Sequence, residues 1–77
     1  MTPEDRRALA QQLLTNPLME VVLQEMEQEA VERSIYARLN DDNTRLTAML
    51  EVRAIRDFRT KLEQCAEDNR SRKAAPA

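Results

Sequence analysis

Histidine, glycine and tryptophan are absent from this sequence, and cysteine, phenylalanine and tyrosine occur once each. The lack of histidine removes the commonest general base and metal ligand, and one thiol, Cys65, cannot build a zinc site. Without glycine, phosphate-cradling loops and dinucleotide fingerprints cannot form. A single cysteine also makes no internal disulfide, which suits a reducing compartment, and on an apolar helix side it reads as a small hydrophobe rather than a nucleophile. No apolar run approaches the roughly 20 residues that cross a bilayer. The chain opens on acids where a signal peptide carries bases, so the expectation is a protein of the cytosol or of an assembly built there. No enzyme, cofactor, metal site or small-molecule substrate is expected.

What remains is short and highly charged. Seventy-seven residues suffice for one small domain, and such a domain buries only about 60% of the surface its unfolded chain exposes. Association between subunits is therefore a natural source of stability. Charged residues make up 34% of the chain, with 14 acids against 12 bases. That balance does not favour non-specific binding to nucleic acid, which needs clustered cations.

Three helices follow from start signals and apolar spacing, giving an all-α fold. Thr2-Pro3-Glu4-Asp5 combines a cap, a proline suited to the first helical position and acids at the positive end of the helix dipole. The first helix is predicted over 3–14, with Leu9, Leu13 and Leu14 on one side. Asn16-Pro17 repeats the start signal, and helix two is predicted over 17–39 with Met19, Val22, Leu23, Met26 and Ala30 as its inward stripe. Asn40-Asp41-Asp42-Asn43 is the central cluster of turn formers. Helix three is then predicted over 43–68, its inward row being Leu46, Leu50, Ala54, Phe58 and Leu62, joined by Cys65. Residues 69–77 read as a polar tail with bases at Arg70, Arg72 and Lys73.

A short turn between two long helices predicts an antiparallel αα-hairpin with helix one folded against it. Charge agrees: helix two is rich in glutamate and helix three in arginine. If the chain reverses near residue 42, paired positions sum to about 84. Glu25 is then expected opposite Arg59, Glu29 towards Arg56, and Arg33 opposite Glu51. Exposed pairs of this kind contribute only about 0–1 kcal/mol. Arg33 and Glu51 differ, because both project into the apolar stripes, where an unpaired charge would cost several kcal/mol.

More apolar surface is present than these stripes use. Val21, Val31, Ile35 and Leu39 fall on the opposite side of helix two, and Met49 and Val52 lie among the arginines of helix three. Helix one could cover this surplus in a three-helix monomer, or a partner helix or second copy could do so, and the pattern weights both equally. The contact residues expected on the second reading are Val31, Ile35, Leu39, Met49, Val52 and Arg56. Arg53, Arg56 and Arg59 also invite a nucleic-acid reading, but abundant glutamates can neutralise them and no aromatic residue is interleaved for stacking.

The chain resembles a family of short helical proteins encoded in tailed bacteriophages beside the terminase and portal genes. The resemblance runs over about residues 8–66. It rests on Leu13-Leu14-Thr15-Asn16-Pro17, a long acidic helix, the turn Asp41-Asp42-Asn43-Thr44-Arg45, and the series Leu50, Ile55, Phe58 and Leu62. The large aromatic residue often seen in the middle of helix two is lacking, with Tyr36 nearby, as is a glycine near the C-terminus. The resemblance implies a structural, assembly or packaging accessory of the phage particle, in the virion or host cytoplasm, bound to itself or to a capsid- or portal-associated complex. Two other expectations stand beside it: a phage-made inhibitor of a host protein using the Glu25–Glu32 face, and a small DNA-packaging accessory using the helix-three arginines and the tail.

Overall fold

Each helix begins where a side chain takes over backbone donors that have no partner inside the helix. In the computed structural model, which describes residues 1–67, α1 spans Pro3–Leu14, α2 spans Pro17–Ile35 and α3 spans Asp42–Ala66. At α1, the Asp5 N–H donates to Thr2 Oγ1 at 3.0 Å and the Thr2 N–H donates back to Asp5 Oδ2 at 3.4 Å, a reciprocal box that satisfies two donors. At α2, Asn16 Oδ1 accepts from the N–H groups of Leu18 at 2.8 Å and Met19 at 3.3 Å. At α3, Asp41 accepts from the Thr44 N–H at 3.0 Å and from its hydroxyl at 2.6 Å. The chain is thus all-helical, with no strand among the described residues.

α2 ends four residues before the predicted Leu39, and the cause is Arg45. Its guanidinium donates to the carbonyls of Arg38 at 2.9 Å and Leu39 at 2.8 Å, with a longer bond of 3.5 Å to Ala37. These carbonyls are drawn into a turn around one cation instead of continuing the helix ladder. Asp42 closes the arrangement by accepting from Arg45 Nη2 at 2.9 Å. α3 begins one residue earlier than predicted because Asp41, rather than a later residue, is the cap. Its predicted last residue, Asp68, and the predicted tail 69–77 lie outside the described residues.

α3 is the central element. It makes its most extensive contact with α2 and the next with α1, whereas α1 and α2 barely touch. Gln11 of α1 reaches α3 by donating from its side-chain amide to the Ala66 carbonyl at 3.5 Å. Along α2, Glu20 meets Arg59, Glu27 meets Arg56 and Arg33 meets Glu51. Partner numbers on α3 fall as those on α2 rise.

Among the described residues the buried apolar core is six: Ala10, Leu23, Ala30, Ala48, Val52 and Ile55. Half of them are alanine, and Ala30 is 0% exposed. Small side chains at these points let helices approach closely, leaving little volume for larger residues between them. The molecule is elongated, 50 × 31 × 17 Å, and α2 and α3 form a two-helix layer within it. Such a layer has two open sides. Among the described residues, no helix is long and apolar enough to cross a membrane.

Candidate protein-binding surface

The side chains facing inward are not those that helical spacing singled out. On α2, Leu23 and Ala30 are buried, but Val22 and Met26 of the same predicted stripe are exposed and Met19 is half-buried. On α3 the change is larger. Ala48, Val52 and Ile55 form the buried row, while Leu46, Leu50, Ala54 and Phe58, all expected inside, are open to solvent. α3 is therefore rotated so that its buried row lies on the far side from Leu46 and Leu50. The contact with α2 is the most extensive that α3 makes, and the narrow Ala48–Val52–Ile55 side admits that helix more closely than the bulky leucine row could.

This rotation opens a fully apolar groove between α2 and α3. Met19, Val22, Leu23, Met26, Ala54, Ile55 and Phe58 line a cleft of about 410 Å³. Phe58 in this cleft is 47% exposed, whereas Leu50 and Leu46, one and two turns beyond Ala54, turn progressively away from α2 and lie outside the cleft, 53% and 59% exposed. At that end of the groove stand Arg33 and Glu51, joined by a two-pronged pair whose second arm, Arg33 Nη1 to Glu51 Oε2, is 3.2 Å. Both side chains are about half exposed, so the predicted burial of this pair is corrected. The pair does form, in the predicted register, but as the polar rim of a groove.

The opposite side of the α2–α3 layer has a different character. Val21, Gln24, Glu25, Glu27, Gln28, Val31 and Arg59 line an open groove of about 640 Å³. Arg56 donates to Glu27 Oε2 from Nε at 3.2 Å and from Nη2 at 2.9 Å. These bonds hold the Glu27 carboxyl below its ordinary range against desolvation, the next largest effect, with the charges of Arg56 and Arg59 adding to the lowering. The same contact raises Arg56. Glu27 thus takes the place expected of Glu29, and Glu20, 4.0 Å from Arg59, the place expected of Glu25. Glu25, Glu29, Glu32 and Arg53 are exposed and make no ion pair among the described residues.

Of the six predicted contact residues, Val52 is a core residue at 7% exposure and cannot be a surface anchor. It lies on the side of α3 that meets its neighbours. Val31 is half-buried in the acidic groove, and Arg56 is exposed but engaged with Glu27. Met49 is exposed, as is Ile35 at the last residue of α2, and Leu39, in the turn, is 96% exposed. They do not converge on one cleft. Of the four residues whose shelter would have removed the surplus, Val21, Ile35 and Leu39 are open and only Val31 is partly covered.

The groove residues missed are Met19, Val22, Met26 and Phe58, which helical spacing reads as core. A signal was present in the sequence: Arg33 and Glu51 share their stripes, and charges at such positions mark a solvent-facing edge as readily as a buried pair. No group of three or more metal-binding side chains occurs among the described residues, and Cys65 is half-buried. No family model, curated protein or solved structure matches the chain.

Proposed function

We propose that this protein is a non-catalytic docking subunit that presents helix faces to other proteins, as a structural or assembly accessory of a tailed-bacteriophage particle. The observation that carries the docking reading is the mismatch between a six-residue core and the long series of large apolar side chains left open on both sides of the α2–α3 layer. An exposed, contiguous apolar surface rimmed by charge is the usual mark of a protein contact site. The phage setting is drawn from the sequence resemblance.

The scaffold in this reading is an antiparallel α2–α3 hairpin, supported by the opposite order of ion-pair partners along the two helices. Arg56 and Arg59 serve within that scaffold by facing Glu27 and Glu20, which leaves fewer free cations for phosphate contacts. A DNA-packaging role is correspondingly disfavoured.

The test is to delete the gene from the phage that encodes it and to weigh particles and precursors by mass spectrometry. The expected result is that the chain is found in particles or in assembly precursors, and that deletion stalls assembly. Normal yields of compositionally normal particles from the deletion, with the chain absent from every precursor, would refute the reading. The acids Glu25, Glu29 and Glu32, which make no ion pair among the described residues, favour a second reading, an inhibitor that fills a basic groove on a host protein. Growth arrest of uninfected host cells on expression, abolished by reversing those three charges, would select it.

A further inference from the structure

We infer that this chain associates with further copies of itself edge to edge, the outer edge of α2 in one copy lying against the outer edge of α3 in the next. This deepens the docking reading and rests on it, together with the antiparallel hairpin. The two edges are the helix sides turned away from the α2–α3 contact. On α2, opposite the buried Leu23 and Ala30, the residues Leu18, Val21, Glu25, Gln28, Glu32 and Ile35 recur every three or four positions, and all are exposed. On α3, opposite the buried Ala48, Val52 and Ile55, the exposed row is Leu46, Leu50, Arg53 and Asp57, with Met49 and Lys61 at its margins. α1 leaves this second edge open. Where Gln11 reaches Ala66, Leu62 and Ala66 are half-buried, while Lys61 and Gln64 are exposed.

Charge and order along the edges select another copy as the occupant. The α2 edge and its margin carry Glu25, Glu29 and Glu32, and the α3 edge carries Arg53 and Lys61. None of these five side chains makes an ion pair among the described residues. Asp57, between the two bases, leaves the α3 edge net positive. Glu27 meets Arg56 and Arg33 meets Glu51, so residues of α2 and α3 at equal height have numbers that sum to about 84. A copy set beside the first at the same height, without rotation, then brings Ile35 among the neighbour's Leu46, Met49 and Leu50. It also sets Glu32 within a turn of the neighbour's Arg53, and Glu25 within a turn of its Lys61. Apolar end meets apolar end, acid meets base, and the touching helices run antiparallel as in the hairpin. Pairing like edges about a two-fold axis would instead set the α2 glutamates against one another. Because the two edges differ, the contact does not close on two copies and continues into a ring or an open row. One helix pair lies at the small end of the range for specific contacts, so the association depends on concentration.

Sedimentation equilibrium of the full chain, alone and in mixtures of variants, tests this. The expected mass rises with concentration past twice 8.9 kDa. Ile35→Glu disables the α2 edge and Leu50→Glu the α3 edge, and each should hold the chain at single mass with helicity unchanged by circular dichroism. An equimolar mixture of the two should form pairs of twice 8.9 kDa and nothing larger, since one intact edge of each kind remains. Glu32→Arg and Arg53→Glu should each weaken association roughly fivefold, and the double variant should recover most of that loss. If either glutamate variant loses helicity, this charge pair decides alone. A chain that stays at single mass up to its solubility limit would overturn the inference. So would growth that stops at two copies, folded edge variants that fail to complement on mixing, or charge reversals without mutual rescue. The docking reading fails separately: a self-associating chain that never enters particles or precursors refutes that reading and leaves the edge contact intact. A strict monomer that does enter them overturns the edge contact alone.

Discussion

Leu23 and Leu50 lie on facing helices, and equal truncation of the two should give very unequal results. Leu23 is 7% exposed, so Leu23→Ala removes nearly a full side chain of burial and leaves a void between α2 and α3. Loss of this kind costs about 2–5 kcal/mol, and about 3 is reasonable for a thin core that can relax somewhat. Leu50 keeps half its surface in water, so Leu50→Ala forfeits about half the transfer term, near 1 kcal/mol, and encloses no cavity. Alanine's better helix propensity returns a few tenths of that. For a domain of this size each kcal/mol moves Tm by about 4–8 °C, giving a fall of about 12–24 °C for the first variant and under about 8 °C for the second. Thermal unfolding followed at 222 nm, in solution dilute enough that sedimentation gives single mass, measures both. Equal losses, or a larger loss at Leu50, would mean that the leucine row of α3 faces inward after all.

Other outcomes follow from individual contacts. Arg45→Ala should release the carbonyls of Arg38 and Leu39 and cost about 1–2 kcal/mol, read as a lower urea midpoint with faster amide exchange in the last turn of α2. Asn16→Ala removes the acceptor for two backbone donors and should cost about 1 kcal/mol in chemical unfolding. Arg33→Ala should cost less than about 1 kcal/mol because its pair with Glu51 is half exposed, and a loss of several kcal/mol would show that the pair is enclosed. Acid should destabilise through Glu27 and Asp41. Both carboxyls are held below their ordinary values, Glu27 mainly by the Arg56 bonds and Asp41 mainly by the Thr44 hydroxyl. Their contribution is therefore complete above the ordinary values of 4.5 and 3.8 and is lost as pH falls through the lowered ones. Glu27→Gln should flatten the acid limb of a plot of unfolding midpoint against pH, and an unchanged limb would mean the Arg56 contact is not populated.

Helix starts were legible because each is a local chemical event. Thr2, Asn16 and Asp41 sit immediately before their helices and satisfy donors two or three residues on. The end of α2 was not legible, since it depends on a guanidinium that arrives from α3, six to eight residues later, to collect three carbonyls. Facing was the least legible feature. Apolar residues ring α2, so spacing alone does not say which side is inward, and how closely each side packs against the small side of α3 decides it. Surplus apolar surface was expected and is present, but part of it lies at Val22, Met26 and Phe58, which helical spacing places inside, and Val52 is buried. Among the ion pairs, Arg33–Glu51 followed from the expected register, whereas Glu27 and Glu20 displaced Glu29 and Glu25 as arginine partners.

Accessibility of individual side chains to a dissolved nitroxide, read as paramagnetic broadening of methyl and ring signals, tests the central claim most directly. In dilute solution Met26, Leu50 and Phe58 should broaden strongly while Leu23, Ala30, Val52 and Ile55 stay sharp. Protection of Leu50 and Phe58, with Val52 and Ile55 broadened, would contradict it.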